Sequence, residues 1–196
     1  DGDFVYYDLD TIKREKQLTL LENGMPQALA DGEFVVYFQP KVRVDTRTLV
    51  GAEALIRWKR DGKIISPADF IPIAERTGFI MKLDMFVLEH TCAMIKQWQE
   101  SGKRTVPVSV NFSKIHLRFP HLAEKIMNVI NRYGIEPHYL EVEFTETAYT
   151  DVFNAIKQAI IDLKSYGLMV SMDDFGTGYS SLALLKDLDF DILKLD

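Results

Sequence analysis

Leu140-Glu141-Val142-Glu143-Phe144-Thr145 is a strand-like run, followed by a helix-like run over Val152–Tyr166 and then by Leu168-Met169-Val170-Ser171-Met172. Strand, helix and strand in that order imply parallel strands joined by a crossover, the repeating unit of an α/β fold. The alternation extends in both directions. Strands are expected at Phe34–Val42, Leu49–Trp58, Thr105–Phe112, Leu140–Thr145, Leu168–Met172 and Asp191–Leu195. Helices are expected at Pro67–Arg76, Ile80–Ser101, Leu122–Tyr133, Val152–Tyr166 and Ser180–Asp187. Ser66 before Pro67, and Thr150 or Asp151 before the fourth helix, supply capping chemistry. Gly134 and Gly167 stand where a left-handed residue ends a helix. The link Arg43–Thr48 is too short for a crossover, so the first two strands should be antiparallel.

The opening Asp1–Asp31 reads differently. Leu18, Leu21, Met25, Ala28 and Leu29 recur at helical spacing. Gly24 and Pro26 interrupt them, because proline has no amide proton to give a continuous helix. The expectation is one helix near Thr11–Glu22 and a short second one from Pro26, ended by Gly32, together forming a linker or the tail of an upstream domain.

Composition narrows the function classes. The chain has 196 residues, 47% of them apolar, which fits one globular domain with a short appendage. Cys92 is the single cysteine, so no intramolecular disulfide framework exists. The longest apolar run, Phe34 to Phe38, is five residues, against the roughly 20 of a membrane helix. The first ten residues carry four aspartates and no basic residue, unlike a signal peptide. A cytoplasmic protein or soluble domain is expected, possibly the cytoplasmic part of a larger protein. With 29 acidic and 23 basic residues the net charge is -6, and no basic face for DNA is evident.

Polar residues gather at strand ends. Glu53 lies within an otherwise apolar strand, Asn111 closes another, and Glu143 and Glu146 belong to a third. Asp173 and Asp174 follow Met172, and Lys194 and Asp196 close the last strand. In a parallel α/β barrel the C-terminal strand ends converge on one rim, where active sites are built. Carboxylate and amide oxygens converging there suit a hard cation, Mg²⁺ or Mn²⁺, and not zinc. Glu53 and Arg57 share a strand face, as a metal-holding carboxylate and a phosphate-gripping guanidinium should. Glu143 and Glu146 have opposite parity, and Lys194 and Asp196 the same.

Plainer readings stand beside these. A strand Glu often reaches water, Asp173-Asp174 before Phe175-Gly176 also fits a turn, and Glu53 with Arg57 also fits an interstrand ion pair. Gathered carboxylates without a cation would be costly, which favours the metal. His90, His116, His121 and His138 lack ligand spacing and read as structural, and Cys92 reads as a small core residue. Asn111-Phe112-Ser113 is an accidental glycosylation sequon. Gly176-Thr177-Gly178 lacks the lysine of a P-loop and reads as a mobile or interface loop.

An ordered set of motifs, running from about Phe34 to Asp196, resembles the EAL domain, the cyclic di-GMP phosphodiesterases of bacteria. It comprises Tyr37-Phe38-Gln39-Pro40, Gly51 to Trp58 (GAEALIRW), Phe70 to Glu75 (FIPIAE), Val110 to Ser113 (VNFS) and Glu143-Phe144-Thr145-Glu146. Asp173 to Leu182 (DDFGTGYSSL) and Lys194-Leu195-Asp196 complete it. The resemblance implies a modified TIM barrel with its first strand antiparallel.

It also implies that Glu53, Asn111, Glu143 and Asp173 are metal ligands, with Asp174 serving a second of two Mg²⁺ or Mn²⁺ ions. Lys194 would contact the attacking water. Arg57 would hold a substrate phosphate, and Gln39 and Leu55 would line the nucleotide pocket. Glu146 would steady the loop Phe175–Ser181, through which protomers would pair as a homodimer, with Asp196 beside it in that stabilising role. The implied reaction is hydrolysis of cyclic di-GMP to linear pGpG, and the alternative is a catalytically silent cyclic di-GMP receptor. Eight-stranded barrels run to about 250 residues, and the family's later motifs, one bearing another metal-binding Glu, are absent here. The expectation is a barrel truncated after about the sixth strand, with residues 32–196 as the EAL part and hydrolysis impaired. Tyr6-Tyr7-Asp8 through Arg14-Glu15-Lys16 resembles the junction that follows a GGDEF domain, so residues 1–31 would be linker helices behind one.

Overall fold

A computed structural model describes residues 9–145, 153–175 and 188–195. In chain order the elements are α1 (Leu9–Ala30), β1 (Phe34–Val42), β2 (Leu49–Arg60), β3 (Lys63–Ile65), α2 (Pro67–Thr77), α3 (Ile80–Glu100) and β4 (Val108–Asn111). Then come α4 (Leu122–Tyr133), β5 (Leu140–Thr145), α5 (Phe153–Ser165), β6 (Met169–Phe175) and β7 (Ile192–Leu195). Two compact units divide the chain, one of residues 1–35 and 56–79, the other of residues 36–55 and 80–196.

In the first unit α1 is a single helix that runs through Pro26, which corrects the expected pair of helices. A proline inside a helix costs about 3 kcal/mol. Leu21, Met25 and Ala28 are buried on both sides of it, and burying each large side chain contributes about 1.5–3 kcal/mol. The apolar stripe therefore outweighs the missing hydrogen bond. Trp58 is fully buried, with the rings of Phe34 and Phe70 at 5.0 and 5.8 Å from its own. Its indole N–H donates to Glu33 Oε2 at 2.7 Å, so the largest core residue leaves no polar atom unsatisfied.

Ser66 sits at the N-cap of α2 but makes no side-chain capping bond. Pro67 occupies the first turn, where no amide proton is required. Strand β3, absent from the sequence reading, pairs antiparallel with β2 through Arg60↔Lys63. The two residues between them, Asp61 and Gly62, have φ of 51° and 73°, the geometry of a tight hairpin whose twist matches its strands.

The strand order is β1-β2-β4-β5-β6-β7, with β3 beside β2. The first strand is antiparallel, β3 pairs antiparallel at the side, and β2, β4, β5, β6 and β7 follow as parallel neighbours in an open α/β sheet. In the second unit the register gives each face its chemistry. Ala52, Ala54, Val108, Val110, Leu140, Val142, Phe144, Val170 and Met172 share one face and are buried. Helix α3 lies against β4 and α5 against β6 on this core. Glu53, Ser109, Asn111, Glu141, Glu143, Ser171 and Asp173 alternate with them and share the other face.

Strand β4 begins at Val108, three residues later than expected. Pro107 has no amide to pair, and only its carbonyl joins the sheet, accepting from Ala52 N at 3.0 Å. Strand β6 instead continues through Asp173 and Asp174 to Phe175, with a register shift against β7 between Met172 and Phe175 and a φ of 56° at Asp174. The two aspartates lie in a bulged strand end, the kind of irregularity that re-aims side chains beside sites. Gly134 and Gly167 close α4 and α5 at φ of 62° and 80°, as expected. The expected helix Ser180–Asp187 and the caps Thr150 and Asp151 lie outside the described residues.

Candidate active site

Parallel pairing aligns the polar positions of successive strands. Asn111 stands opposite Glu143, Glu53 opposite Ser109, and Asp173 opposite Thr145, two residues beyond Ser171, which faces Glu143. The side chains close the arrangement. Asn111 Nδ2 donates to Glu53 Oε1 at 3.1 Å. Lys194 Nζ donates to Glu53 Oε2 at 3.0 Å and also to Glu143 Oε1. Four of the expected residues, from four strands, thus form one connected group.

Glu143 has no solvent exposure. Burial pushes its carboxyl up to about 7, with Lys194 opposing the rise and the nearby Glu53 and Asp173 adding to it. Asp173 is therefore the fifth member of the group. A carboxylate facing another carboxylate offers no donor, and Oε2 of Glu143 is buried with no hydrogen-bond partner. Burial pulls the Lys194 ammonium down, but its bonds to Glu143 and Glu53 win and hold its pKa above the usual lysine value.

This chemistry fits a divalent cation. An orphaned, buried carboxylate oxygen is a group that a bound cation would satisfy. The donors around it are carboxylates and an amide whose nitrogen already serves Glu53, a set suited to Mg²⁺ or Mn²⁺. Among the described residues no three His, Cys, Asp or Glu side chains are already drawn into a cage; the positive charge between Glu53 and Glu143 is that of Lys194.

Asp174 is exposed at the bulge, Gln39 is exposed on β1, and Leu55 is half-buried on β2. Arg57 belongs to the first unit, where its Nη1 donates to the Ile56 carbonyl at 2.8 Å. Glu146, Asp196 and residues 176–181 of the expected loop lie outside the described residues.

A second ionic layer went unread in the sequence. Lys41 Nζ donates to Ser109 Oγ at 3.0 Å and to Glu141 Oε1 at 3.3 Å, with Glu141 almost wholly buried. Each strand position lies two residues before a site residue, Ser109 before Asn111 and Glu141 before Glu143, so period-2 counting from the site would have found both.

His116 is structural, as expected. Its Nε2 meets Asp84 Oδ2 at 3.1 Å, and the same oxygen accepts from Ser113 N at 2.9 Å. The pair braces the turn that follows Asn111. Burial, with the charge of Glu89, pushes the Cys92 thiol up to about 12, so it is inert core.

The EAL domain family model matches residues 22–196. The bifunctional diguanylate cyclase/cyclic di-GMP phosphodiesterase MucR of Pseudomonas aeruginosa is 35% identical over 183 residues, 93% of this chain and 27% of that protein. The cyclic di-GMP phosphodiesterase PA2567 of the same organism is 33% identical over 187 residues, 93% of this chain and 31% of that protein. The chain thus spans about a quarter to a third of the length of these relatives. The solved structure of the MucR phosphodiesterase in complex with c-di-GMP superposes with a TM-score of 0.84 at 34% identity, over 90% of this chain and 72% of that one. Sheet order, polar rim and matched residues agree: the chain belongs to the EAL domain family.

Proposed function

We propose that this chain is the phosphodiesterase part of a cyclic di-GMP signalling protein, hydrolysing one phosphodiester bond to give linear pGpG with the help of Mg²⁺ or Mn²⁺. The observation that carries the reading is the buried, unpartnered Oε2 of Glu143 within the group Glu53, Asn111, Glu143, Asp173 and Lys194. The names of MucR and PA2567 supply the substrate.

Glu53, Asn111, Glu143 and Asp173 would hold the metal, with Asp174 reaching a second ion. Bound divalent ions lower the pKa of a ligated water and offset charge on the phosphorane-like transition state. The chain's own groups do the rest. Lys194 contacts the attacking water, as an orienter while it is the ammonium now set between two carboxylates and as a base only once that proton is lost. The Arg57 guanidinium forks onto a phosphate oxygen, and Gln39 and Leu55 line the nucleotide pocket. The family's wider organisation is inferred in the same way: a GGDEF domain ahead of residue 32, pairing of protomers through the Phe175–Ser181 loop, and a cytoplasmic setting. No helix among the described residues is long and apolar enough to cross a membrane.

Mixing the chain with cyclic di-GMP and Mn²⁺ and separating products by chromatography tests the reading. The expected result is pGpG that disappears when a chelator is added. Nucleotide binding with no pGpG under any divalent ion would replace the enzyme with a receptor.

A further inference from the structure

Lys194 occupies the position where a cation is wanted. Its Nζ lies 3.0 Å from Glu53 Oε2 and also bonds Glu143 Oε1, while Asn111 holds the other Glu53 oxygen at 3.1 Å. An ammonium between two carboxylates offsets part of their mutual repulsion and part of the cost of burying Glu143 as an anion. A divalent ion bound by the same two carboxylates, through the open Glu143 Oε2 for one, would lie within a few ångströms of the ammonium, and the repulsion between the two cations sets them in competition for the same negative charge. The Lys194 side chain is itself 18% exposed, so its ammonium is not sealed off from solvent.

We propose that Lys194 is a tethered counter-ion that competes with divalent metal for Glu53 and Glu143, so that metal loading and release of the ammonium are one exchange. The inference rests on the metal-centre reading above and extends it. Its functional consequence is order: the lysine becomes available to the reacting water only after the metal has displaced it. An apo site would therefore be held closed by its own base.

Calorimetric titration of Mn²⁺ into the wild-type chain and the variants Lys194→Met, Lys194→Arg and Glu143→Gln tests this. Removing the competing charge should tighten Mn²⁺ binding about tenfold or more, the scale of a partly buried ion pair. Lys194→Arg, which keeps the charge, should bind close to wild type. A lysine with a merely structural role would give weaker binding on removal, so Lys194→Met binding Mn²⁺ no tighter than wild type overturns the proposal. Wild type that takes up no Mn²⁺, or Glu143→Gln that binds as well as wild type, overturns the metal-centre reading itself. Should Lys194→Met fail to fold, amine acylation of wild type decides: labelling of Lys194 should rise when Mn²⁺ is added, and labelling unchanged or slowed by Mn²⁺ overturns the exchange.

Discussion

Two ionic layers are stacked on one face of the same sheet, and they differ in charge balance. The lower one sets Lys41 against Glu141, with Ser109 as a neutral partner, one positive charge for one negative. The upper one sets Lys194 against Glu53 and Glu143, with Asp173 nearby, so carboxylates outnumber ammonium groups. The lower layer is complete in itself and reads as structure. The upper layer lacks positive charge, which suits the cation and the anionic substrate proposed for it. Glu141 and Glu143, two positions apart on β5 and each bonded to a lysine, thus serve opposite ends.

The contrast can be broken by removing a carboxylate from the upper layer. Glu53→Ala should lower turnover of cyclic di-GMP by about 10²–10³-fold, the usual scale for one lost electrostatic group, while nucleotide binding measured by calorimetry persists. Retained turnover would contradict the role given to Glu53.

Next in size is a pH effect particular to the upper layer. Glu143 takes up its proton at about 7 in the folded chain, against an ordinary value of 4.5. Without metal the folded state binds that proton more tightly than the unfolded one. The resulting stabilisation, up to about 3 kcal/mol, is full below pH 4.5 and is lost as pH rises through about 7. Thermal melts should show this decline, Mn²⁺ should reverse it because it binds the ionised form, and Glu143→Gln should flatten it.

The lower layer should respond differently. Lys41→Met strands a buried carboxylate and is expected to lower stability by about 2–3 kcal/mol, the upper part of the range for a buried group left without its partner, with Lys41→Met/Glu141→Gln recovering most of it in a double-mutant cycle by denaturant melts. Mn²⁺ should not rescue the single variant as it does the upper layer. Smallest is the brace beneath Asn111. Asp84→Ala leaves Ser113 N–H and His116 without their acceptor, and a loss of about 1–3 kcal/mol is expected.

Much of this was legible in the residues. Strands β1 and β5 and helix α4 begin and end at the expected residues, because their apolar periodicity is bounded by clear punctuation such as Gly134. Glu53, Asn111, Glu143 and Lys194 were found as polar interruptions of apolar strands, and parallel register brings them together. Failures came where tertiary contact overrides local preference. Pro26 should end a helix, but Leu21, Met25 and Ala28 are buried across it. The hairpin at Asp61-Gly62 was a missed turn signal, since that dipeptide favours positive φ at both places. Lys41 could not be found from its own strand, because its partners, Ser109 and Glu141, are 68 and 100 residues away.

The bulge at the end of β6 has a consequence for how the protein can change. Asp174 holds a backbone conformation, φ 56°, that glycine adopts without penalty and aspartate only tolerates. A glycine there would relieve about 1 kcal/mol of strain and forfeit a carboxylate at the rim.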